Sequence, residues 1–212
     1  MKNHELIETI LNEYKDAECE LGFETPFQLL VAVVLSAQCT DRRVNLVTKE
    51  MFKKYKNPQD FASLSLETIE NEIRSCGFYH NKSLAIKSIS QDILTRFNGE
   101  FPKTKQELKT LRGVGEKTAN VVVSMVYSQP AIAVDTHVFR VSNRLGLANA
   151  NTPEKTQNQL EKVLPKSCWS KMHFALVLHG RYVCLSRNPK CENCCLKQFC
   201  NEYKIKNKKE KK

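Results

Sequence analysis

The stretch LKTLRGVGEKTANVVVSMVY, residues 108–127, decides the fold of this 212-residue sequence. Gly113 and Gly115 form a tight turn between two helical patterns, because glycine adopts backbone conformations that crowd other residues. The first pattern ends with two leucines, and the second has an apolar side made of Ala119, Val122, Val123 and Val126. The stretch therefore predicts a helix–hairpin–helix motif.

The hairpin offers a binding site for a phosphate. The backbone N–H groups of Gly113, Val114 and Gly115, with the N-terminus of the following helix, form a cradle suited to an anion. A DNA phosphate bound there would be held without sequence preference. An ordinary turn between two helices is the alternative interpretation.

Two polar residues near the hairpin are candidates for chemistry. Lys117 lies in the first turn of the second predicted helix, where the positive end of the dipole favours a neutral amine that could act as a nucleophile. Asp135 follows the apolar run AIAV and could assist proton transfer or stabilise developing positive charge on a sugar. The simpler interpretations are a surface lysine and a helix N-cap.

Five cysteines crowd the region between residues 184 and 200, and this crowding predicts a metal or cluster site. Cys191 and Cys194 form a Cys-x-x-Cys pair, while Cys184 and Cys200 can complete a four-thiolate cage. Spacing alone does not distinguish Zn²⁺ from an iron–sulfur cluster, or Cys194 from Cys195. The remaining cysteines, which are predicted to be small buried residues, are Cys19, Cys39, Cys76 and Cys168.

The short segment LSRNPK, residues 185–190, lies inside the first cysteine interval. A closed metal site would hold this loop rigid, and the loop could then present Arg187 and Lys190 to phosphates. A solvated loop explains the same two charges equally well.

Composition restricts the class of protein. Lys and Arg number 33 against 23 Asp and Glu, a net charge of +10 that suggests a polyanionic partner such as nucleic acid or an anionic membrane surface. The longest apolar run, Leu29–Leu35, is too short to span a bilayer. The N-terminus lacks the apolar core of a secretion signal, so we expect a reducing, cytoplasmic environment without a disulfide framework.

The rest of the sequence is helical in period. Apolar stripes recur at helical spacing, no sustained alternation of period two is present, and Thr25-Pro26 and Thr152-Pro153 mark helix starts. We therefore predict an all-α protein of about ten helices. The Lys-rich segment 201–212 is predicted to be a frayed or disordered basic tail.

Several segments together resemble the endonuclease III family of helix-hairpin-helix DNA glycosylases with lyase activity. They are LRGVGEKTANVVV, IAVDTHVFRVSNR and LHGRYVC followed by the Cys-x6-Cys-x2-Cys-x5-Cys spacing, with LLVAVVLSAQCTD and GFYHNKS earlier in the sequence. The resemblance covers nearly the whole chain except its Lys-rich end.

The resemblance implies two helical domains with a cleft between them. Residues 21–129 would form a six-helix domain that contains the hairpin, at about 108–127. Residues 1–20 and 130–200 would form an iron–sulfur cluster domain, followed by the basic tail 201–212.

The resemblance also assigns roles to residues. Lys117 and Asp135 match the catalytic pair, Gln38 matches the residue that enters the gap left by the flipped base, and Phe78 aligns with an apolar wedge. The [4Fe–4S] ligands would be Cys184, Cys191, Cys194 and Cys200, which leaves Cys195 as an extra cysteine. The sequence departs from the family at Arg112, where proline is usual and where the arginine adds a cation near the phosphates, and at Cys39, which is often alanine.

The implied function is base-excision repair of oxidised pyrimidines in double-stranded DNA, with strand cleavage by β-elimination through a lysine Schiff base. We expect a monomer associated with the nucleoid in the cytoplasm. Adenine-mismatch and monofunctional thymine- or uracil-mismatch glycosylases lack the lysine, and the former carry a longer C-terminal region, so Lys117 argues against both. A non-catalytic DNA-binding module stabilised by zinc or a cluster is the alternative from a different class.

Overall fold

The structure is a computed structural model that describes the backbone of residues 2–210 and the side chains of residues 3–205, and over this range it is helical without strands. In chain order the α-helices are α1 (Lys2–Glu13), α2 (Pro26–Ser36), α3 (Asp41–Lys54), α4 (Pro58–Ser63), α5 (Leu66–Ile73), α6 (Tyr79–Thr95), α7 (Lys105–Lys109), α8 (Glu116–Tyr127), α9 (Thr136–Leu145), α10 (Pro153–Val163), α11 (Trp169–Tyr182) and α12 (Asn201–Glu210). Short 3₁₀ turns cover Lys166–Cys168 and Cys191–Asn193.

The all-α prediction is confirmed, but the described residues contain twelve α-helices where about ten were expected. The difference lies in helices too short to show an apolar period. Three of them begin at side-chain caps: Asn57 caps α4, Ser65 caps α5 and Thr104 caps α7. Such caps satisfy the unpaired N–H groups of a first turn, so they allow helices of five to eight residues to form inside a packed unit.

The chain forms two compact units, of which one is Glu20–Ser128. Its centre is α2, which is buried on all sides from Phe27 to Leu35 and packs against α3, α6 and α8. Thr25 caps α2 by accepting a hydrogen bond from the Gln28 backbone N–H, with Pro26 in the first turn, as predicted. The unit contains seven described helices, α2–α8, where the resemblance implied six.

The other unit joins both ends of the chain, Met1–Cys19 and Gln129–Lys212. Helix α9 packs against α10, α11 and α12, and α1 packs against α11. The fully buried centre of this unit includes Ile10, Ile132, Val138, Val141 and Leu176. Cys184, Cys194 and Cys200 lie against the edge of that core.

Two local predictions are wrong. Residues Asn201–Glu210 form a helix where a frayed tail was expected, since the helix begins directly after Cys200 and packs against α9; residues 211–212 lie outside the described residues. Cys76 and Cys168 are buried, as expected, but Cys19 and Cys39 are only half-buried because they lie in loops. Among the described helices, none combines the length and the apolar character needed to cross a membrane.

Candidate functional site

The hairpin joins α7 to α8 through Arg112, Gly113, Val114 and Gly115. Leu111 and Val114 are buried beneath it, and the Val114 N–H donates to the Leu111 carbonyl over 3.2 Å. Gly113 has a φ of +78°, and a β-carbon there would lie 3.0 Å from the Cβ of Ala85 in α6. The turn therefore requires glycine at residue 113, both for its backbone conformation and for its close packing.

The N-terminus of α8 is open to an anion. Gly115 is its N-cap and has no side chain to accept hydrogen bonds from the first turn. The exposed residues Arg112, Gly113 and Gly115 surround these N–H groups, while Val114 points into the core. The geometry provides the uncapped helix end and adjacent cation that suit a phosphate oxygen.

Lys117 is the second residue of α8 and its side chain is exposed. Its neighbour Glu116 forms ion pairs with Lys105 and with Lys109, the latter at 2.8 Å. The hydrogen bonds from Lys105 and then Lys109 lower the pKa of the Glu116 carboxyl. Its negative charge beside the open helix end is therefore compensated by two cations.

Two exposed side chains of the same unit occupy unusual backbone positions. Gln38 has a φ of +53° in the loop between α2 and α3. Phe78 has a φ of +58° just before α6, and 62% of its surface is exposed. Non-glycine residues pay a conformational penalty in this left-handed region, and such residues cluster at functional sites.

The loops that carry Gln38 and Phe78 are neighbours. A β-carbon on Gly77 would lie 3.7 Å from the Gln38 carbonyl oxygen. Below them, the buried Lys82 donates its Nζ to the Leu35 carbonyl over 2.8 Å and so ties α6 to the end of α2. Burial lowers the pKa of Lys82. The structure thus brings these two predicted site residues to one region.

Asp135 is the N-cap of α9. Its Oδ1 accepts a hydrogen bond from the Val138 backbone N–H over 2.7 Å. The simpler structural interpretation of this aspartate is therefore correct, and it leaves the other carboxylate oxygen available for a second task. Asp135 belongs to the unit formed by the chain ends, whereas Lys117 belongs to Glu20–Ser128.

The four predicted ligand cysteines line one cavity in the unit formed by the chain ends. Cys184, Cys191, Cys194 and Cys200 all contribute to its wall, while the exposed Cys195 does not. Within the described residues, no three Cys, His, Asp or Glu side chains form a site for a single metal ion. The four cysteines therefore share the wall of one cavity.

The cavity is a poor place for free thiolates. Burial raises the pKa of Cys194 to about 11 and raises that of Cys200, although backbone N–H groups of Leu196 and of Tyr203 and Glu202 partly oppose this. Thiolates here would need a cationic partner, because charge buried without one is strongly disfavoured.

Sequence reasoning missed the residues that hold the cysteine loop. Arg144 donates from Nη1 to the Leu185 carbonyl over 2.7 Å and lies 3.4 Å from the Cys184 sulfur. Arg140 donates from Nε to the Cys184 carbonyl over 3.0 Å. These arginines follow Asp135 in one helix at spacings of five and nine residues, and only the folded chain shows that they reach a loop about forty residues away.

Sequence reasoning also missed a histidine in the wall of the cysteine cavity. His179 is buried, its Nδ1 lies 2.8 Å from the Tyr14 hydroxyl, and its Nε2 lies 3.6 Å from the Cys194 sulfur. Burial lowers the pKa of His179 to about 4, so the ring is neutral near pH 7. A Tyr14 hydroxyl that donates to Nδ1 leaves a proton on Nε2, directed at the sulfur.

The remaining candidates lie on the surface of the cysteine loop. Arg187 and Lys190 are exposed, and Lys190 also contributes to the wall of the cavity. The backbone N–H of Lys190 donates to the Val183 carbonyl over 3.0 Å, which closes the loop at its base. The loop therefore presents both cations on a held backbone.

Comparison with known proteins identifies the family. Residues 31–166 match the model of the HhH-GPD superfamily base excision DNA repair protein. Endonuclease III of Bacillus subtilis (strain 168) is 45% identical over 99% of this chain and 98% of its own length. Endonuclease III of Haemophilus influenzae is 38% identical over 97% of each chain.

Solved structures agree. A non-covalent Endonuclease III–DNA complex matches with a TM-score of 0.91 and 45% identity, covering 97% of this chain and 96% of that one. A trapped covalent intermediate of Endonuclease III with DNA matches with a TM-score of 0.90 and 46% identity over 95% of each chain. A thermostable thymine-DNA glycosylase, at 22% identity and a TM-score of 0.87, covers 96% of this chain and 97% of its own and shares the fold. The chain therefore belongs to the endonuclease III family and acts in base-excision DNA repair as a glycosylase with lyase activity.

Proposed function

We propose that Lys117 is the nucleophile of this glycosylase and lyase. The observation that carries the proposal is its position: an exposed amine in the first turn of α8, beside an uncapped helix end and directly after the hairpin. A phosphate held by that helix end would place deoxyribose within reach of a lysine side chain, whose amine can act as a nucleophile.

In the proposed reaction the Lys117 amine attacks C1′ of the damaged nucleotide. The glycosidic bond breaks, and the base leaves with its electron pair and takes up a proton. Opening of the sugar then gives an imine with the lysine. The imine acidifies the C2′ proton, whose loss ejects the 3′ phosphate and cuts the strand, and water finally releases the lysine from the imine.

Asp135 is proposed to support this charge and proton movement. Its Oδ1 is held by the Val138 N–H, so the carboxylate is fixed in direction and its Oδ2 can stabilise a cationic sugar.

Duplex DNA would be held by several separate features. Backbone N–H groups of the hairpin and the Arg112 side chain would bind phosphates, and Arg187 and Lys190 would bind others. Gln38 and Phe78 would enter the duplex, because they are exposed on adjacent loops whose backbone is held in a left-handed conformation. An amide that can pair with an orphaned base edge and an apolar wedge suit extrusion of a nucleotide.

The four cysteines are proposed to hold a [4Fe–4S] cluster. A zinc ion needs its four ligands at about 2.3 Å from one point, whereas each cysteine of a four-iron cluster binds a different iron. Four cysteines line one cavity, and their spacing matches that of the endonuclease III family, which supports the cluster. The cluster would clamp the loop that carries Arg187 and Lys190, and it takes no part in bond breaking.

The substrate class is proposed to be oxidised pyrimidines and abasic sites in double-stranded DNA. The net charge of +10 supports a polyanionic partner, and membership of the endonuclease III family supports the lesion class that the resemblance implies. We further propose a monomer that acts at the nucleoid in the cytoplasm. A duplex panel with thymine glycol, uracil, oxidised guanine and a bare abasic site tests the lesion class.

Borohydride trapping tests the nucleophile. Wild-type protein should give a covalent adduct with an abasic duplex, and Lys117→Gln should give none while still shifting the duplex in a gel. Lys155→Gln is the matched control, since Lys155 is also exposed in the first turn of a helix, α10. An adduct with Lys117→Gln would overturn the assignment, and an intact strand with the wild type would favour a non-catalytic binding module.

Asp135→Asn tests the carboxylate without loss of the helix cap, because asparagine caps helices as well as aspartate does. We expect base removal to slow by about a hundredfold or more at nearly unchanged duplex affinity. Equal rates for the variant and the wild type would show that Asp135 is only a cap.

The cluster is tested on anaerobically purified protein. Iron and sulfide analysis should give about four of each per chain, with a broad visible absorption. Cys184→Ser should lose both, while Cys195→Ser should retain them, because Cys195 does not line the cavity. A colourless protein with one zinc per chain would overturn the cluster assignment.

A further inference from the structure

Two cysteines outside the cluster region lie on the Gln38 and Phe78 loops. Besides burial, the neighbouring Cys39 raises the pKa of the Cys76 thiol, so the two side chains are close to each other. Cys39 follows Gln38 directly, and Cys76 lies two residues before Phe78. The approach of Gly77 to the Gln38 carbonyl independently shows that the two loops touch.

The two thiols differ in access and in charge environment. Cys39 is half-buried, whereas Cys76 is fully buried. Burial, and after it the neighbouring Cys39, raises the pKa of Cys76 to about 11, so Cys76 remains a thiol that can donate to the Cys39 sulfur. The buried ammonium of Lys82, held by the Leu35 carbonyl, interacts electrostatically with both sulfurs.

We propose that Cys39 and Cys76 form a peroxide-sensitive thiol pair. Oxidation of the pair to a disulfide would displace the Gln38 and Phe78 loops and lower the affinity of the protein for DNA. The arrangement has the parts of such a pair: a half-buried cysteine near the Lys82 ammonium to meet the oxidant, and a second thiol on the touching loop to complete the bond.

The reaction balances with hydrogen peroxide as the oxidant. The Cys39 thiolate attacks one peroxide oxygen, the O–O bond breaks, and the departing hydroxide takes a proton to become water. Cys76, as it gives up its proton, displaces the hydroxyl of the resulting sulfenic acid and forms the S–S bond, with release of a second water. Both sulfurs are oxidised by one electron each, and the peroxide is reduced by two; a dithiol reverses the step by exchange.

The consequence for DNA rests on the proposed role of Gln38 and Phe78. An S–S bond is about 2.05 Å long, shorter than any contact between two separate thiols, so its formation must draw the loops together. Both side chains are held in left-handed backbone directly beside the pair, and they would shift with it. Displacements of about 1 Å at such positions can reduce function by up to about a hundredfold.

Peptide mapping tests the bond itself. Intact holoenzyme is treated with equimolar hydrogen peroxide, alkylated and digested with trypsin. We expect peptide 16–42 to be linked to peptide 75–82, which contains Cys76. Because peptide 16–42 contains Cys19 as well as Cys39, fragmentation spectra and a Cys19→Ser variant assign the link. Absence of the 39–76 link, or a link through Cys19, would overturn the proposal.

Binding to a duplex that carries an uncleavable abasic analogue tests the consequence, with visible absorption recorded to show that the cluster is intact. Oxidised wild type should bind at least about tenfold more weakly than reduced wild type, and dithiothreitol should restore the affinity. Cys39→Ala should be insensitive to peroxide, and Cys195→Ser should respond like the wild type. A disulfide that forms without loss of affinity would overturn the proposal, and so would an equal loss of affinity in Cys39→Ala. Failure of the reduced wild type to give an adduct in borohydride trapping would instead overturn the proposed function.

Discussion

Replacement of Gly113 by alanine should lower the free energy of unfolding of the Glu20–Ser128 unit. Two effects contribute, one from backbone conformation and one from packing. Gly113 has a φ of +78°, and an L-residue in this region costs about 1–2 kcal/mol. Its new methyl group would also lie 3.0 Å from the Cβ of Ala85, a contact that forces α6 or the hairpin to shift and adds about 1 kcal/mol. The expected loss in the free energy of unfolding is therefore about 2–3 kcal/mol.

Two other glycines of the unit separate the contributions. Gly99 has a φ of +82° with open space around its β-carbon position, so Gly99→Ala should lose only the conformational part, about 1 kcal/mol. Gly115 has a φ of −91° and open space, so Gly115→Ala should lose only the preference of an N-cap for glycine over alanine, about 1 kcal/mol.

Urea unfolding followed by circular dichroism measures all three variants. The transition of Gly113→Ala should lie about 1 M urea below that of the wild type, with Gly99→Ala between the two. Because the hairpin must move, Gly113→Ala should also bind duplex DNA more weakly. Equal midpoints for Gly113→Ala and Gly115→Ala would refute the argument that backbone conformation and the contact with α6 fix the turn.

Further predictions concern charge, cluster retention and the wedge. Glu116→Gln should tighten duplex binding, because it releases the two lysines that pair with Glu116. The salt dependence of binding should steepen by about one to two released counterions, and measurement of the affinity at several salt concentrations checks this. Arg144→Ala should speed the loss of iron to a chelator, since Arg144 holds the cysteine loop by two carbonyls, and unchanged iron release would contradict that role. Phe78→Ala should slow base removal from duplex DNA, while Phe23→Ala, another partly exposed phenylalanine of the same unit, should not.

Sequence patterns predicted helices and caps well because those depend on near neighbours in the chain. Thr25 and Thr152 cap α2 and α10, as the Thr-Pro pairs indicated, and the GVG turn joins two helices. The helix of Asn201–Glu210 was not predicted, because its highly charged sequence has no apolar stripe and its placement follows from the preceding Cys200 and from packing on α9.

Contacts between segments that are far apart in the chain could not be predicted from the sequence. Nothing local indicates that Arg144 reaches the carbonyls of residues 185 and 186, or that His179 joins Tyr14 to Cys194. The proximity of Cys39 and Cys76 is of the same kind. Each of these cysteines separately has the pattern of a small core residue, and only the meeting of two loops gives them a shared chemistry.

The sequence by itself determined the helical class, the glycine turn, the lysine at the start of a helix and the crowd of cysteines, because period, cap and spacing are properties of adjacent residues. Tertiary structure alone decided that four of the five crowded cysteines share a cavity and that Gln38 and Phe78 stand on neighbouring loops. The physical reason is that burial and distance between remote side chains are set by how helices pack, and packing is a property of the whole unit.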